Sequence, residues 1–445
     1  MTAKQRLAQA INAKPAELLA ALCGFGLFFC LFSGYFMLRP VREAMGIRGG
    51  VENLQWLFSA TFVTMLCAVP LFAWLNSRVP RARYIDWVYG FFVLNLLAFA
   101  ALFQQLDDAI WLARSFYVWL SVYNLFVVSV AWSLMADVFD DAQARRLFAF
   151  IAAGASSGGL AGPALGALFV EAIGQSGLIF AAALLLGLAL LAKQYLMAWR
   201  ALGGAGRAGA IPSESPRLPV SGNPFSGIGG VLASPYLLGI SAFVVLLATV
   251  STFLYFEQAR LVEQLFPERN QQIRVFGMID FAVQALSLLA QLFITGRIAQ
   301  HLGIRALLSA VPLLVCLGFV GLALTPTFAM LASLMIVRRV GEYAFVRPGR
   351  EMLFAPLDAH SKYKAKNVID TLVYRGGDAI SAWAKALLDM LSQGVLLAAL
   401  AGATCAALWA ALGWYLGGQA RLRSPGEAHD LKRSEPTEVR SDRGT

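Results

Sequence analysis

Apolar runs of about 20 residues recur along the whole chain, and they constrain the possible fold more than any other feature. Each run is long enough, as an α-helix, to cross a hydrocarbon layer of roughly 30 Å. Of the 445 residues, 58% are hydrophobic and 14% are charged, and a soluble core cannot absorb that apolar excess. We therefore expect an all-α integral membrane protein whose surroundings are the lipid bilayer.

The runs predict twelve transmembrane helices in two sets of six. Gly, Pro and Ser dominate the stretch between the sets, which is typical of a flexible linker. The predicted spans are 16–38, 53–75, 84–104, 113–136, 147–170, 177–198, 235–256, 273–296, 304–324, 327–347, 366–390 and 394–416. The predicted organisation is an N-terminal segment (1–15), a six-helix bundle (16–199), a linker (200–234), a second six-helix bundle (235–417) and a disordered tail (418–445).

Lys and Arg alternate between loops that hold several of them and loops that hold few. Cytoplasmic loops of membrane proteins are enriched in these residues. The alternation therefore predicts that both termini and the linker are cytoplasmic, in a multi-pass protein of the inner (plasma) membrane. The loops with neither Lys nor Arg are 105–111, 171–176, 324–327 and 391–394.

The net charge of +10 does not indicate a nucleic-acid polymer as partner, since no basic stretch is interleaved with exposed aromatics. The five cysteines lie in apolar runs without CxxC spacing, so neither a metal site nor a disulfide framework is indicated. No cofactor is expected. The histidines His301, His360 and His429 lie in loops or the tail, and no HExxH, GxSxG or P-loop pattern occurs. The sequence therefore disfavours an enzyme, and it leaves the oligomeric state open.

Two sets of six helices suggest a duplicated plan. Tyr35-Phe36 near the end of the first helix and Tyr255-Phe256 near the end of the seventh are 220 residues apart. The loop Gly296 to Arg305 (GRIAQHLGIR) resembles the loop signature of the major facilitator superfamily, without its usual acidic residue. The resemblance implies two six-helix pseudo-repeats in a major-facilitator-like fold.

The predicted helix 5 contains GGLAGPALG at 158–166, which is similar to the GxxxGPxxG motif of many facilitator antiporters. Small residues at four-residue spacing also permit close helix packing, and Pro163 bends the helix. The structural interpretation is favoured, so the motif adds little support for antiport.

Ionisable residues inside the predicted spans are the sharpest indication of function, because each costs at least roughly 2.5 to 3.5 kcal/mol at mid-membrane depth. The predicted helix 10 contains Arg338 and Arg339, with Glu342 within reach of either at i+4 or i+3. Two interpretations stay open. The three residues form a structural ion triad, or one arginine is left to bind substrate.

The predicted helix 11 carries a narrow charged stripe. At about 100° per residue, Arg375, Asp378, Lys385 and Asp389 fall on one face, with Tyr374 beside it. Asp280 begins a similar polar stripe on the predicted helix 8. Such stripes line a water-filled path or form hydrogen bonds with a neighbouring helix.

Arg39 and Arg42 flank Pro40 at the outer end of the predicted helix 1, on the side where the distribution of loop charge disfavours them. Either they extend to lipid head groups, or they attract an anion at the mouth of a cavity. The second interpretation is favoured.

Three stretches resemble the ATP/ADP translocase family of nucleotide transporters, a branch related to the major facilitators. They are LRPVRE after helix 1, PGREMLFAPLD after helix 10 and KYKAKNVIDTLVYRGGDAISAW leading into helix 11. The resemblance implies exchange of an anionic, phosphate-bearing substrate, which suits the chemistry of Arg and Lys. The residues carried over from the family motifs are Arg39, Arg42, Arg350, Glu351, Lys366, Asp370 and Arg375.

The sequence thus predicts a secondary transporter that moves an anionic small molecule by alternating access, as an exchanger. The alternative is a flippase or proton-coupled transporter for a lipid-linked or other organic anion; a channel would need neither duplicated halves nor internal charges of both signs. The expected substrate-binding residues are Arg39, Arg42, Arg338, Arg339, Arg375, Lys385, Tyr35 and Tyr374. The expected coupling or ion-pair residues are Asp280, Glu342, Asp370, Asp378 and Asp389, and the expected gating residues are Arg350, Glu351 and Lys366.

Overall fold

The computed structural model describes residues 3–78, 81–106, 109–203, 227–391 and 394–423. Within these ranges the regular structure is helical, as predicted. The centre of the predicted linker (204–226) and most of the predicted tail (424–445) lie outside the described residues. Short helices at Ala3–Ala10 and Ile228–Ala233 precede the two bundles.

In the described parts of the chain, twelve long helices make up the two bundles, and short connections join successive helices within each bundle. The helices are α1 (Leu18–Arg48), α2 (Leu54–Arg78), α3 (Arg81–Gln105), α4 (Ile110–Val138), α5 and α6 (the two parts of Asp141–Ala201), α7 (Pro235–Leu265), α8 (Arg269–His301), α9 (Gly303–Leu324), α10 (328–353), α11 (359–389) and α12 (Gly394–Arg423).

Gly174 separates α5 from α6. Its φ of +66° lies in the left-handed region, which glycine adopts without a steric cost. The chain turns back there, because Trp199 near the end of α6 packs against Phe139 just before α5, with 5.9 Å between ring centroids. The 61 residues Asp141–Ala201 therefore form two spans.

Nine helices in the described part of the chain are long and apolar enough to cross a membrane when Asp141–Ala201 is counted once. Division at Gly174 makes ten, and α10 and α11 are the remaining two. These two are more highly charged, and each is interrupted by a π-helical segment, Glu342–Val346 and Ile369–Val373 respectively. The helices are therefore consistent with the predicted twelve spans.

Each bundle has its own hydrophobic core. Phe28, Tyr89 and Leu147 belong to the core of α1 to α6, and Phe243 and Trp409 belong to the core of α7 to α12. The fold is thus divided into an N-terminal and a C-terminal half, as the two sets of apolar runs predicted.

The tightest packing within the N-terminal half joins α1 to α5. Gly154, Gly158 and Gly162 of α5 lie against the backbone of α1, and a Cβ at Gly162 would be 2.5 Å from the Ser33 carbonyl oxygen. The small residues of the predicted helix 5 therefore permit close helix contact, as the structural interpretation expected.

We call the side where α1 begins and α12 ends the terminal face, and the other side the distal face. The halves meet near the distal face, where a cluster of apolar side chains joins them. Trp383 Nε1 of α11 donates a hydrogen bond to Ser59 Oγ of α2 (3.0 Å), and Arg274 of α8 pairs with Glu171 of α5 (2.6 Å). Members of the apolar cluster include Ile47, Leu54, Leu57, Tyr117, Phe256 and Phe276.

Candidate functional site

Among the polar cavities between the halves, two hold most of the predicted charged residues. The terminal chamber, of about 650 Å³, is lined by α1, α4, α10 and α11 and includes Ser121, Asn124 and Arg350. The distal chamber, of about 170 Å³, is lined mainly by α1, α7, α8, α10 and α11 and includes Ser251 and Asp280. Both chambers share four lining residues: Arg39, Arg42, Tyr374 and Arg375.

The described lining of the two chambers is dense in charge of both signs. It holds seven arginines and six carboxylates, a formal excess of one positive charge. An anion that binds here must therefore compete with carboxylates that already contact the arginines. The arginines are Arg39, Arg42, Arg338, Arg339, Arg347, Arg350 and Arg375, and the carboxylates are Glu43, Asp280, Glu342, Glu351, Asp370 and Asp378.

Arg39 and Arg42 lie inside the bundle, which corrects the prediction that they stand past the end of helix 1 at a cavity mouth. α1 continues to Arg48, ten residues beyond the predicted end at 38, with Pro40 inside the helix. The helix continues because its last turns are buried against other helices, so the charged side chains do not end the span.

Arg42 is held by its own half. Its Nε donates to the Tyr117 carbonyl oxygen (3.2 Å), and its Nη1 lies 3.2 Å from Glu43. The guanidinium also lies 4.0 Å from the centroid of the Tyr117 ring, in cation–π geometry. Arg42 is therefore oriented into the chambers by α1 and α4 together.

Asp280 of α8 joins the two halves. It lies 3.7 Å from Arg39 Nε of the N-terminal half and 2.5 Å from Arg339 Nη1 of α10. The Asp280 side chain is only 5% exposed. The carboxylate is thus shared by two arginines that belong to different halves.

The charged side chains of α10 point toward different neighbours. Arg338 Nη1 donates to Glu342 (3.0 Å) and to Ser251 Oγ (2.7 Å), while Arg347 lies 3.3 Å from Glu342. Neighbouring residues on a helix point about 100° apart, and Arg339 faces α8 instead. Glu342 therefore pairs with Arg338 and not with Arg339.

Tyr374, Arg375 and Asp378 form the α11 wall. Arg375 Nη1 lies 3.6 Å from Asp378, and its side chain is 35% exposed. Thr252 Oγ1 of α7 donates to Asp378 at 3.5 Å. Arg375 therefore makes a long ion-pair contact and has a partly exposed side chain. Tyr35, another predicted residue, lines the terminal chamber.

The predicted gating residues lie toward the terminal face. Arg350 pairs with Asp370 (3.1 Å), and Lys366 pairs with Glu351 (2.6 Å). Both pairs connect α10 with α11, so they lie within the C-terminal half and do not cross between the halves.

Lys385 and Asp389 do not line either chamber. Lys385, with a fully buried side chain, lies 2.8 Å from Glu257 and 2.5 Å from Asp389, and Arg260 lies 3.1 Å from Asp389. The charged stripe of α11 continues to this distal end, but there it faces α7. The structure therefore separates these two residues from the other predicted site residues.

Several lining residues were absent from the predicted set. Tyr117, Thr252 and Tyr255 line the distal chamber, and Tyr343 and Arg347 line the terminal chamber. Ser251, Thr252 and Tyr255 follow one another at helical spacing, which is the signal that could have identified the α7 wall. Arg347 directly precedes the PGRE stretch that contains Arg350, so its position beside that motif was the available signal.

No protein-family model and no curated protein matches the chain. Solved structures match it in shape. A bacterial homologue of the human lysosomal transporter Spinster, inward-facing and unoccupied, gives a TM-score of 0.61 at 14% identity over 93% of this chain and 100% of that chain. The nucleoside transporter NupG gives 0.64 at 13% identity, and a bacterial homologue of the iron transporter ferroportin gives 0.63 at 13% identity, each over 90% of this chain and 98% of the other.

These neighbours are membrane transporters and not enzymes. At such low identity the likeness concerns the fold alone. The chain has the all-helical, two-bundle fold of the major facilitator transporters, and its two chambers lie between the halves.

Proposed function

We propose that the protein is a secondary transporter that moves an anionic, phosphate-bearing solute by alternating access. One observation carries the proposal. Arg39 and Arg42 from the N-terminal half and Arg375 from the C-terminal half line both chambers. Three guanidinium groups that converge from two moving bodies can hold one polyanion through bidentate, charge-assisted hydrogen bonds.

The pairing of these arginines supports the same assignment. The contacts of Arg39 with Asp280 (3.7 Å) and of Arg375 with Asp378 (3.6 Å) are longer than the pairs of Arg338, Arg339 and Arg350. An anion that displaced both carboxylates would leave Asp280 with Arg339 and Asp378 with Thr252. The displacement therefore leaves no buried carboxylate without a partner.

A nucleotide-like cargo is the finer part of the proposal. The resemblance of the three sequence stretches to the ATP/ADP translocase family supports it, and so does the shape of the terminal chamber. Tyr35, Phe36 and Tyr374 give that chamber aromatic faces, which can stack a planar ring. Its volume of about 650 Å³ lies in the usual range for small-molecule sites.

The closed distal face suggests the transport step. Contacts between the halves lie near that face, while the terminal chamber extends to Arg350 and Glu351 in the last turn of α10. With cytoplasmic termini, as the loop charges predict, this is an inward-facing state. Rocking of the halves would open the distal contacts and bring the halves together around Arg350, Glu351 and Lys366.

Exchange is proposed as the mode of transport, and proton coupling for another organic anion is the alternative. Asp378 is the carboxylate best placed for the alternative, since it lines the distal chamber and its polar contacts among the described residues are with Arg375 and Thr252. A flippase for a lipid-linked anion would use the same arginines.

Uptake into proteoliposomes tests these possibilities. Labelled nucleotides, sugar phosphates and phospholipid head groups are offered outside, with and without unlabelled compound inside. Acceleration by internal compound supports exchange, and acceleration by an imposed pH gradient supports proton coupling. Failure of Arg375→Ala to reduce uptake of the accepted anion, in protein that stays folded, contradicts the site assignment; exposed Arg297→Ala is the matched control.

A further inference from the structure

A groove on the outer flank of the N-terminal half is separate from the two chambers. It is bounded by α2, α3 and α4 and has a volume of about 730 Å³. Trp56 and Phe91 at its edges are 59% and 58% exposed, so the groove opens to the surroundings of the bundle. Its lining residues are Asn53, Trp56, Leu57, Ala60, Thr64, Phe91, Phe92, Arg114, Ser115, Val118, Trp119 and Val122.

The groove extends over the depth of one lipid leaflet. On α4 it runs from Arg114 to Val122, and the eight steps between them rise about 12 Å. On α2 it runs from Asn53, just before the helix, to Thr64, which is about 16 Å. Half of a bilayer core is roughly 15 Å thick. The groove therefore begins near the distal face and ends close to the bilayer centre.

Polarity along the groove follows the polarity of a lipid. Asn53, Arg114 and Ser115 lie at the distal end, at head-group depth, while Phe91 and Val122 lie at the deep end. A bound protein segment would have no reason to match this order. A lipid with its phosphate toward the distal face matches it, with Thr64 as the one polar lining residue at the deep end.

Arg114 is held in place by hydrogen bonds that leave Nη1 available as a donor. Its Nε and Nη2 both donate to the Gly49 carbonyl oxygen, at 2.9 and 2.7 Å. These bonds hold the guanidinium at the end of α1, and neither involves Nη1. A fixed cation at head-group depth favours an anionic phosphate.

Trp119 supplies the second, independent observation. Among the described residues its Nε1 atom is buried and has no hydrogen-bond partner, and such unpaired buried donors cost free energy. Trp119 lies five residues deeper than Arg114 on α4, about 7.5 Å along the helix. Trp119 also lines the groove, so rotation of its side chain would offer this donor to the ester carbonyl that lies below the phosphate in a glycerophospholipid.

We propose that the groove binds one anionic phospholipid of the distal leaflet. The phosphate lies at Arg114, an ester carbonyl accepts from Trp119 Nε1, and an acyl chain packs against Phe91, Phe92 and Val122. The site adjoins the distal closure, because the Trp56 ring lies 4.8 Å from the ring of Trp383 in the other half. The proposal does not depend on the identity of the transported solute.

Native mass spectrometry of the purified full chain tests the site, with phosphatidylglycerol, phosphatidylcholine and inorganic phosphate as probes. We expect one phosphatidylglycerol molecule to remain bound. Trp119→Phe, which removes the N–H, and Ala60→Trp, which fills the groove, should each weaken that binding about tenfold. Trp87→Phe is the matched control, since Trp87 is exposed on α3 outside the groove.

The preference of the groove for one head group over another shows whether it recognises a whole phospholipid or only an acyl chain. Arg114→Gln keeps a donor for the Gly49 carbonyl oxygen but removes the charge, so the preference for phosphatidylglycerol over phosphatidylcholine should disappear. Equal lipid retention by the wild type, Trp119→Phe and Ala60→Trp, at unchanged melting temperatures, would overturn the proposal. Binding of inorganic phosphate alone, with no lipid retained, would also overturn it.

Discussion

Arg39 of the N-terminal half lies 3.7 Å from Asp280 of the C-terminal half, inside the spanning part of the bundle. Asp280 also contacts Arg339 and is almost fully buried. This shared carboxylate links the two bodies that would separate around the site in the proposed alternating-access cycle. The pair is long enough for an anion to insert beside Arg39, and Arg339 would keep the displaced carboxylate paired.

Asp280→Asn should destabilise the closed distal face and lower the melting temperature. Removing one partner of a buried ion pair leaves uncompensated charge and costs about 3 to 5 kcal/mol. Disulfide formation between cysteines introduced at Ser59 and Trp383 would report the closure, and we expect it to be slower in Asp280→Asn. Unchanged cross-linking and melting would show that Asp280 does not hold the halves together. Asp137→Asn is a control for the loss of an acidic residue, because Asp137 lines neither chamber.

Arg375→Ala should weaken binding of the accepted anion by roughly 10- to 100-fold, because hydrogen bonds to charged groups contribute about 1.5 to 3 kcal/mol. Arg375→Lys should retain part of the affinity, since it keeps the charge without the planar fork. Isothermal titration of the purified variants measures both effects. Identical affinities for wild type, Arg375→Ala and Arg297→Ala would exclude Arg375 from the site.

The sequence predicted the fold and much of the chamber lining because both depend on local patterns. Apolar runs show where helices lie. Residues such as Arg375 and Asp378 share a helix face because of their spacing alone, however the helices pack. Helix ends were predicted less well. α1 passes its predicted end because Arg39 and Arg42 find partners inside the bundle, and hydropathy does not contain information on such partners.

The pairing of charges could not be predicted from one helix at a time. The sequence places Glu342 within reach of both Arg338 and Arg339, but only packing against α8 decides that Arg339 pairs with Asp280. Likewise, the stripe on α11 is continuous, yet its deep part faces the chambers and its distal part faces α7. Contacts between residues far apart in the chain determine these outcomes.

Gly162→Ala should destabilise the N-terminal half. The added Cβ would lie 2.5 Å from the Ser33 carbonyl oxygen and 3.0 Å from the Met37 nitrogen, both of them backbone atoms of α1. Overpacking of this kind costs roughly 1 to 3 kcal/mol of stability. Gly187→Ala, where nothing lies within 4 Å of the new Cβ, should be close to neutral. Equal melting temperatures for the two variants would show that the α1–α5 contact tolerates separation.

We expect Glu17, near the terminal face, to make a pH-dependent contribution to the free energy of unfolding. Burial opposes ionisation, but hydrogen bonds from Arg146, the Lys14 backbone and Gln143 outweigh it and lower the pKa of Glu17 below its ordinary value of 4.5. A lowered pKa in the folded state means that the stabilisation is complete above pH 4.5 and is lost as the pH falls through the folded pKa.

Thermal unfolding of wild type and Glu17→Gln measures this contribution. The two melting temperatures should differ most at neutral pH and converge as the pH falls below 4.5. A constant difference across that range would mean that the charge of Glu17 contributes nothing. Glu268→Gln is the control, because Glu268 is exposed and its polar contact is with Gln271.

Lys385→Met should lower stability while leaving the affinity of the folded protein for its anion unchanged. The ammonium is fully buried between Glu257 and Asp389, and its removal leaves two carboxylates to share Arg260, which is expected to cost about 3 to 5 kcal/mol. Denaturation curves and anion titrations on the same preparation separate the two effects. A loss of affinity as large as that of Arg375→Ala would place Lys385 in the substrate site after all. The double variant Lys385→Met with Glu257→Gln offers the sharper comparison, because it removes one charge of each sign and should recover part of the lost stability without changing affinity.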